Sequence, residues 1–293
     1  MKLGILETRE QSLLACEQRG QVINLWGCGP WNTISEVIRD WDAARGVLAE
    51  ACGESWRVTH QPYRWLPPIP RPPKFLLLAG NFRAHVVESG FAPAPDENLT
   101  PQFFMKPSTA IIGAEDPIPL SSRNVALDYE AELGVVIGHP LKNCSPAEAQ
   151  AAVWGYTVVN DVSERRLNTN WPDRKIRQND EFFDWLTGKW FDGSAPVGPW
   201  VVTADEVADP RELIIRAFLN GEKVQEAPAS AMIHSIADAL SYISQIVSLE
   251  PGDLIAMGTP SGVGMARNRL LQAGDRIACE VEGIGRITNL VVS

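Results

Sequence analysis

Apolar and polar positions divide the chain into many short strand-like runs and a few helix-like ones. The runs at residues 2–7, 22–26 and 74–80 are short and apolar, which is typical of buried strands. Apolar residues recur with helical spacing over residues 35–51 and 235–248, which predicts two helices. A third helix is predicted to begin at Ser145 and to run to about residue 154, because Ser145-Pro146-Ala147-Glu148 is typical of a capped helix start.

The rest of the chain reads as strands separated by turns. Asn220-Gly221 lies between two strand-like runs and predicts a hairpin. Pro251-Gly252-Asp253 and Gly274-Asp275 predict further turns. Many strands with few helices indicate a mostly β (α+β) main domain, built as two packed sheets or a barrel.

A proline-dense stretch at residues 61–73 divides the chain. Proline fixes φ and lacks a backbone N–H, so this stretch is predicted to be an irregular linker. Residues 1–60 are then a small N-terminal α/β module, and residues 74–293 form the main domain. A chain of 293 residues that is 45% apolar can bury a substantial core.

Charge and cysteine content narrow the class of protein. The net charge of −10 argues against nucleic acid or an anionic membrane as the main partner. The five cysteines form no Cys-x-x-Cys pair and the N-terminus does not resemble a signal peptide, so we expect a reduced, cytoplasmic protein. No apolar run is long enough to cross a bilayer.

Three acidic residues carry the strongest chemical signal. Glu130 and Glu132 lie two apart in the apolar run at residues 127–138, which is predicted to be a strand, so both carboxylates project from one face. Asp161 ends the next strand-like run. Neighbouring carboxylates repel each other, and a hard divalent cation with three oxygen ligands is the simplest explanation of the pattern. For a Glu-x-Glu pair taken alone, an exposed acidic strand face is about as common.

His85 and Glu88 lie three apart on a predicted short helix and therefore face the same way. A carboxylate that fixes the tautomer of a histidine makes it a usable general base. Judged from spacing alone, an exposed pair without a role is the commoner case. Arg165 and Asn168 follow Asp161 and could clamp a substrate carboxylate, or they could only balance surface charge.

Lys189 lies among aromatic residues, where it could stabilise an oxyanion or simply cover tryptophan rings. The glycine-rich residues 257–264 lack the pattern of a phosphate-binding loop. They predict a tight turn after a strand. Its backbone N–H groups and the Thr259 hydroxyl could face a ligand, although a plain turn is about equally common.

Taken in order, these motifs resemble the fumarylacetoacetate hydrolase superfamily from about residue 75 to the C-terminus, and the small N-terminal module resembles the one that many members carry. Each motif is modest alone, and the set together is specific. The matching segments are Asn81-Phe82-Arg83-Ala84-His85 with Glu88, residues 127–133, residues 155–165, residues 188–199 with Gly188-Lys189, and residues 258–264.

The resemblance implies a catalytic domain with a rolled β-sheet, commonly in homodimers. It implies Mg²⁺, with Mn²⁺ and Ca²⁺ as alternatives, held by Glu130, Glu132 and Asp161. His85 and Glu88 match the dyad of a lid that activates water.

The resemblance also implies a set of substrate contacts. Residues at the positions of Arg165, Asn168 and Lys189 bind the substrate or stabilise its oxyanion, and the residue at Thr259 contacts the substrate carboxylate. Family members often have Tyr at the position of Phe82 and Gln at the position of Asn168. The side chain of Asn168 is shorter than that of glutamine and reaches less far.

A long segment at residues 171–183 is expected to shape the substrate pocket. Several aromatic residues in and near it could line that pocket, or they could form core or dimer contacts. They are Trp171, Phe182, Phe183, Trp185, Trp190 and Trp200.

The expected function is Mg²⁺-dependent hydrolysis of a C–C bond in a 2,4-diketo acid, either an acylpyruvate or a sugar-derived diketo acid. In this reaction His85 deprotonates a water, Lys189 and Asn168 hold the oxyanion, and the cation stabilises the leaving enolate. The expected partner is thus a small keto acid. The same chemistry serves two alternatives, an oxaloacetate-type decarboxylase and a muconate-type keto–enol isomerase. A third alternative is a non-catalytic cation-binding protein.

Overall fold

The computed structural model describes residues 1–90, 99–120, 125–168, 171 and 173–293. Strands dominate this part of the chain. The strands are β1 Lys2–Glu7, β2 Ser12–Gln18, β3 Gln21–Asn24, β4 Arg64–Leu66, β5 Phe75–Ala79, β6 Gln102–Met105, β7 Ile111–Ile112, β8 Ile118–Pro119, β9 Leu127–Asp128, β10 Ala131–Ile137, β11 Val153–Asn160, β12 Ser163–Glu164, β13 Ala195–Thr203, β14 Ile214–Leu219, β15 Glu222–Pro228, β16 Leu254–Ala256, β17 Arg276–Val281 and β18 Gly285–Val292. The helices are α1 Ile34–Arg39, α2 Trp41–Cys52, α3 Arg83–Glu88, α4 Pro146–Ala151, α5 Asp180–Thr187 and α6 Ile236–Ile246.

Two packed sheets form the body of the molecule. The larger sheet has the order β3-β2-β1-β13-β11-β10-β16-β5-β6, with β4 on β1 and β7 on β13. The smaller one has the order β15-β14-β17-β18-β8, and β9 pairs with β12 separately. Val135 and Val158 of the larger sheet share one core with Ile215 and Ile287 of the smaller sheet. The predicted mostly β (α+β) architecture is confirmed.

The antiparallel pair β10–β11 lies at the centre of the larger sheet and positions the acidic residues. Its side chains are buried on both faces because helices and the smaller sheet cover it. The register places Ala131 opposite Asn160 and Glu132 opposite Val159. The acidic residues therefore lie at the end of a strand pair that packing holds on every side.

The predicted helices are present, with changes at their ends. Helix α4 begins at the predicted capping box, in which Ser145 N–H donates to Glu148 Oε2 at 2.7 Å, and it ends at Ala151. Helix α6 lies within the predicted residues 235–248. The helix predicted over residues 35–51 is divided at Asp40, whose φ of −119° and ψ of 34° are not helical. The Asp40 carboxylate accepts the indole N–H of Trp31 at 2.9 Å, which stabilises the break.

The N-terminal residues are continuous with the larger sheet. Strand β1 pairs with β13 and aligns Leu3 with Val201, and β2, which was not predicted, pairs with β1. Strand β4 lies inside the proline-dense stretch, so the expectation that residues 61–73 are wholly irregular is wrong. The division into units at 1–60, 61–73 and 74–293 stays a prediction.

Cysteine pairing departs from the expectation of a fully reduced chain. Cys16 of β2 and Cys52 at the end of α2 form a disulfide with Cα atoms 6.5 Å apart, whereas Cys28, Cys144 and Cys279 are free. The two partners are 36 residues apart in sequence, so spacing alone could not pair them. In the described part of the chain, no helix is long and apolar enough to cross a membrane.

Candidate metal centre and active site

Glu130, Glu132 and Asp161 converge as the sequence predicts. Each offers a carboxylate oxygen, and these atoms all lie within 4.8 Å of one another. All three residues are buried, with exposed fractions of 5%, 1% and 1%. The predicted continuous strand over residues 127–138 is wrong, because β9 ends before Glu130 and β10 begins after it. Within that break the Glu130 N–H donates to Asn160 Oδ1 at 3.0 Å, and its carbonyl accepts the Asp161 N–H at 2.9 Å.

Lys189 and Arg165 balance the charge of two of these acids. Lys189 Nζ lies 2.8 Å from Glu130 Oε2 and 2.6 Å from Asp161 Oδ2, and Arg165 Nη2 lies 2.6 Å from Glu130 Oε1. Burial alone would raise the pKa of Glu130, but Lys189 and Arg165 hold it below its ordinary value. Burial would likewise lower the pKa of Lys189, but the charges of Asp161 and Glu130 raise it. Glu130, Arg165 and Lys189 are therefore charged together.

A second lysine, Lys106, contacts one of the acids, Asp161, and was not predicted. Its side chain is 0% exposed, and Nζ donates to Asp161 Oδ1 at 2.6 Å, Val162 O at 3.0 Å and Ser194 O at 2.8 Å. Burial lowers the pKa of Lys106, and the charge of Asp161 opposes that shift. Lys106 follows directly on the apolar strand β6 and precedes a proline. A lysine next to an apolar strand was the signal that could have found it.

Glu132 differs from the other two acids because no cationic side chain in the described part of the chain forms an ion pair with it. Its Oε2 accepts the Gly258 N–H at 2.8 Å, and it has no salt-bridge partner among the described residues. Burial, followed by the charges of Asp161 and Glu130, raises the pKa of Glu132 well above its usual range. Three converging oxygen ligands with one uncompensated carboxylate fit a hard divalent cation such as Mg²⁺, Mn²⁺ or Ca²⁺.

His85 and Glu88 form the predicted dyad on α3. His85 Nδ1 lies 2.8 Å from Glu88 Oε1, and the other Glu88 oxygen accepts the Gly262 N–H at 2.7 Å. Gly262 has a φ of +107°, and a Cβ there would collide with Val224 O, so only glycine fits. The dyad is thus fixed to the glycine-rich loop at residues 257–264.

That loop joins the dyad to the acidic residues. Gly258 donates its N–H to Glu132, and Gly262 donates to Glu88. Asn81 anchors the other side of α3, since its Oδ1 accepts the His234 N–H at 2.8 Å and its Nδ2 donates to Met257 O at 2.9 Å. The predicted tight turn is therefore the element that couples the two halves of the site.

The three predicted substrate contacts lie in different surroundings. Arg165 Nε lies 3.0 Å from Asp128 Oδ2, so Arg165 bridges Asp128 and Glu130. Asn168 Nδ2 donates to Asp184 Oδ1 at 2.7 Å on α5. The Thr259 hydroxyl donates to Ala131 O at 3.0 Å. Their substrate roles stay predictions.

The aromatic residues divide between the site and the surface. Lys189 Nζ lies 5.4 Å from the ring centre of Phe104 and 5.9 Å from that of Trp185. Phe182 and Phe183 of α5 are 58% and 55% exposed and do not line a closed pocket. Pro172, within the segment at residues 171–183, lies outside the described residues. The aromatic wall beside Lys189 therefore combines one predicted residue, Trp185, with one that was not predicted, Phe104.

Comparison with known proteins agrees with this geometry. Residues 74–292 match the family described as fumarylacetoacetate (FAA) hydrolase C-terminal. The chain belongs to the fumarylacetoacetate hydrolase family. It is 36% identical over 278 residues to the human protein named oxaloacetate tautomerase FAHD2A, mitochondrial, a match that covers 93% of this chain and 84% of the relative.

Two solved structures of other family members are also similar. The 5-carboxymethyl-2-hydroxymuconate delta-isomerase from Mycobacterium smegmatis has a TM-score of 0.74 and 32% identity, covering 100% of this chain and 98% of that one. The maleylpyruvate hydrolase from Sphingobium sp. SYK-6, in complex with manganese(II) ion and pyruvate, has a TM-score of 0.77 and 26% identity, covering 100% and 99%. The family is thus one of enzymes that include tautomerases, isomerases and hydrolases. Because some relatives are named mitochondrial, the cytoplasmic location stays a prediction.

Proposed function

We propose that this enzyme is a divalent-cation-dependent keto–enol tautomerase that acts on a small 2-oxo dicarboxylic acid such as oxaloacetate. The observation that carries the proposal is the buried acidic triad with its uncompensated Glu132, joined through one loop to the His85–Glu88 dyad. Tautomerisation is placed ahead of hydrolysis because the tautomerase relative is 36% identical over 93% of this chain.

Glu130, Glu132 and Asp161 would hold the cation. When bound, it would supply Lewis-acid stabilisation of the enolate of a 2-oxo acid. The reaction moves one proton between the C2 hydroxyl of the enol and C3, and it neither adds nor removes an atom. His85 Nδ1 is hydrogen-bonded to Glu88, so we assign the transfer of the proton to and from C3 to the other ring nitrogen, Nε2.

Lys189 is suited to hold the developing oxyanion. An ammonium group has three N–H donors, and Glu130 and Asp161 occupy two of them. The third, which has no partner among the described residues, would donate to the C2 oxygen of the substrate. Phe104 and Trp185 beside Nζ exclude water, which strengthens that hydrogen bond.

Hydrolysis of a 2,4-diketo acid is the second candidate. It would use the same dyad to deprotonate a water that attacks the C4 carbonyl; the hydroxyl joins C4, the C3–C4 bond breaks, and the proton reaches C3 of the leaving enolate. The likeness to a maleylpyruvate hydrolase at 26% identity supports it. For both candidate functions the expected partner is a small keto acid. The homodimer stays a prediction.

Three assays distinguish the candidates. The loss of enol absorbance from oxaloacetate, with Mg²⁺ or Mn²⁺ and again after chelation, reports tautomerisation. The release of pyruvate from acylpyruvates reports hydrolysis, and its release from oxaloacetate reports decarboxylation. Acceleration of the first process alone supports the proposal, whereas cation-dependent turnover in the second or third alone would overturn it.

His85→Ala should reduce the turnover number by about 100- to 10,000-fold, because the general base is lost. Binding of Mn²⁺, measured by calorimetry, should persist. The matched control is His139→Ala, since His139 is exposed. Equal turnover in the two variants would remove His85 from the mechanism.

A further inference from the structure

The backbone of Ala131, the residue between Glu130 and Glu132, is hydrogen-bonded by two side chains. Its N–H donates to Gln225 Oε1 at 3.0 Å, and its carbonyl accepts the Thr259 hydroxyl at 3.0 Å. Strand β16, the neighbour of β10 on one side, pairs only with residues Gly134–Val136. Two side chains therefore occupy the place beside Ala131 that a continued strand would take.

Gln225 uses all of its polar groups in this arrangement. Its Nε2 donates to Thr259 Oγ1 at 2.9 Å and to Pro260 O at 2.7 Å, and Oε1 accepts from Ala131. The residue is 1% exposed and belongs to β15 of the smaller sheet. The network thus connects three elements: β10, the loop after β16, and β15. A buried network in which every group is satisfied holds its members in one geometry.

We propose that Gln225 is a positioning residue that fixes the spacing of the Glu130 and Glu132 carboxylates for a divalent cation. This inference rests on the cation-dependent function proposed above. Gln225 acts through the Ala131 backbone, which both acids flank, and through Thr259. Gly258 lies in the same loop as Thr259 and donates its N–H to Glu132, so this loop also holds the Glu132 carboxylate directly.

A methionine at position 225 provides a sharp test. Gln225→Met keeps the approximate volume and the charge of the site and removes only the hydrogen bonds. Coulombic attraction to the cation is therefore unchanged, and any loss of affinity comes from positioning. We expect the Kd for Mn²⁺, titrated calorimetrically into chelator-treated protein, to rise about 10- to 100-fold, as is typical for outer groups that orient metal ligands.

The matched control is Asn289→Leu. Asn289 is also buried in the smaller sheet, and its Nδ2 donates to Gly113 O at 3.0 Å and Asp116 O at 2.8 Å, away from the acids. Both variants lose buried hydrogen bonds and should lower the urea midpoint similarly. Only Gln225→Met should weaken Mn²⁺ binding. A merely structural role for Gln225 predicts the same Mn²⁺ affinity in both.

Thr259→Val removes the other arm of the network and serves as the second variant. It should raise the Kd for Mn²⁺ in the same way, and it decides the question if Gln225→Met does not fold. Wild-type affinity in the folded variants overturns the positioning role of Gln225. If the wild-type protein binds neither Mn²⁺ nor Mg²⁺, the cation-dependent function itself fails, which is a different result.

Discussion

Glu132 makes the metal-free protein sensitive to pH. Burial and the neighbouring acids raise its pKa in the folded state, whereas an unfolded chain has the ordinary value. Between these two values the folded state binds more protons, so stability falls as the pH rises through that window. We expect the urea midpoint of chelator-treated protein to fall as the pH rises above the ordinary range of a glutamate, and Mg²⁺ or Mn²⁺ to restore it.

Glu132→Gln is the control for this effect. It removes the charge with little change of shape, so the metal-free variant should lose the pH dependence and exceed the wild type in stability at the high-pH end of the series. It should also lose cation binding. The explanation is refuted if the wild type and the variant show the same pH profile without metal.

Lys106 is expected to stabilise the folded chain. Lys106→Met would leave Asp161 Oδ1 and two buried carbonyl oxygens without their donor. Removal of one partner of a buried ion pair typically costs about 3–5 kcal/mol in the free energy of unfolding. Urea denaturation measures the loss. Lys142→Met, at an exposed position, is the control, and equal stability of the two variants would contradict the prediction.

Residue type and spacing predicted that the three acids converge and that His85 meets Glu88. The acids lie at the ends of adjacent strands, and His85 and Glu88 lie three apart on one helix. Residue type and spacing did not predict Lys106 or Gln225. Lys106 is 55 positions from Asp161, and Gln225 is 94 positions from Ala131. Such contacts form only when distant strands pack, and the sequence near either residue carries no periodic signal for them.

At the scale of the elements, the end of α5 is placed by a close backbone contact. Gly188 O accepts the Glu164 N–H of β12 at 2.9 Å, and a Cβ at Gly188 would collide with the Glu164 carbonyl oxygen. Gly188→Ala should push α5 from β12 and displace the adjacent Lys189. We expect reduced turnover and a loss of roughly 1–3 kcal/mol in the free energy of unfolding.

Gly46→Ala is the matched control for Gly188→Ala. Gly46 lies inside α2, and a Cβ there would meet nothing within 4 Å. Alanine should therefore stabilise the helix by roughly 0.5–1 kcal/mol and leave turnover unchanged. Thermal unfolding and the enol absorbance assay test both variants. If the Gly188→Ala enzyme kept wild-type turnover, the position of α5 would not determine the position of Lys189.

The local pattern of apolar and polar residues predicted whether most elements are strands or helices. It failed where a side chain makes a hydrogen bond that interrupts the regular backbone structure. The strand predicted over residues 127–138 breaks because the Asp128 carboxylate accepts the N–H groups of Tyr129, Gly264 and Met265. The helix predicted over residues 35–51 breaks where Asp40 binds Trp31. Aspartate favours such local bonds to the backbone or to nearby donors over regular structure, but the partner that captures it is set by the fold.

At the scale of the whole molecule, residues 1–73 and residues 74–293 share one sheet and one buried cluster. Strand β1 pairs with β13, and Arg45 forms an ion pair with Asp205 at 2.9 Å. Ile34 and Leu48 belong to the same buried cluster as Val197 and Val201. We therefore expect a single cooperative unfolding transition, in which far-ultraviolet circular dichroism and tryptophan fluorescence coincide.

Removal of residues 1–73 should accordingly not leave a stable catalytic domain. The truncated chain would expose the unpaired edge of β13 and the apolar surface around Val201 that residues 1–73 cover, and an open edge with apolar neighbours favours aggregation. We expect residues 74–293 alone to be recovered mainly in the insoluble fraction or as large aggregates by light scattering. A monodisperse, folded fragment that binds Mn²⁺ as tightly as the full chain would contradict this expectation, and it would show instead that the proline-dense stretch separates two units that fold independently.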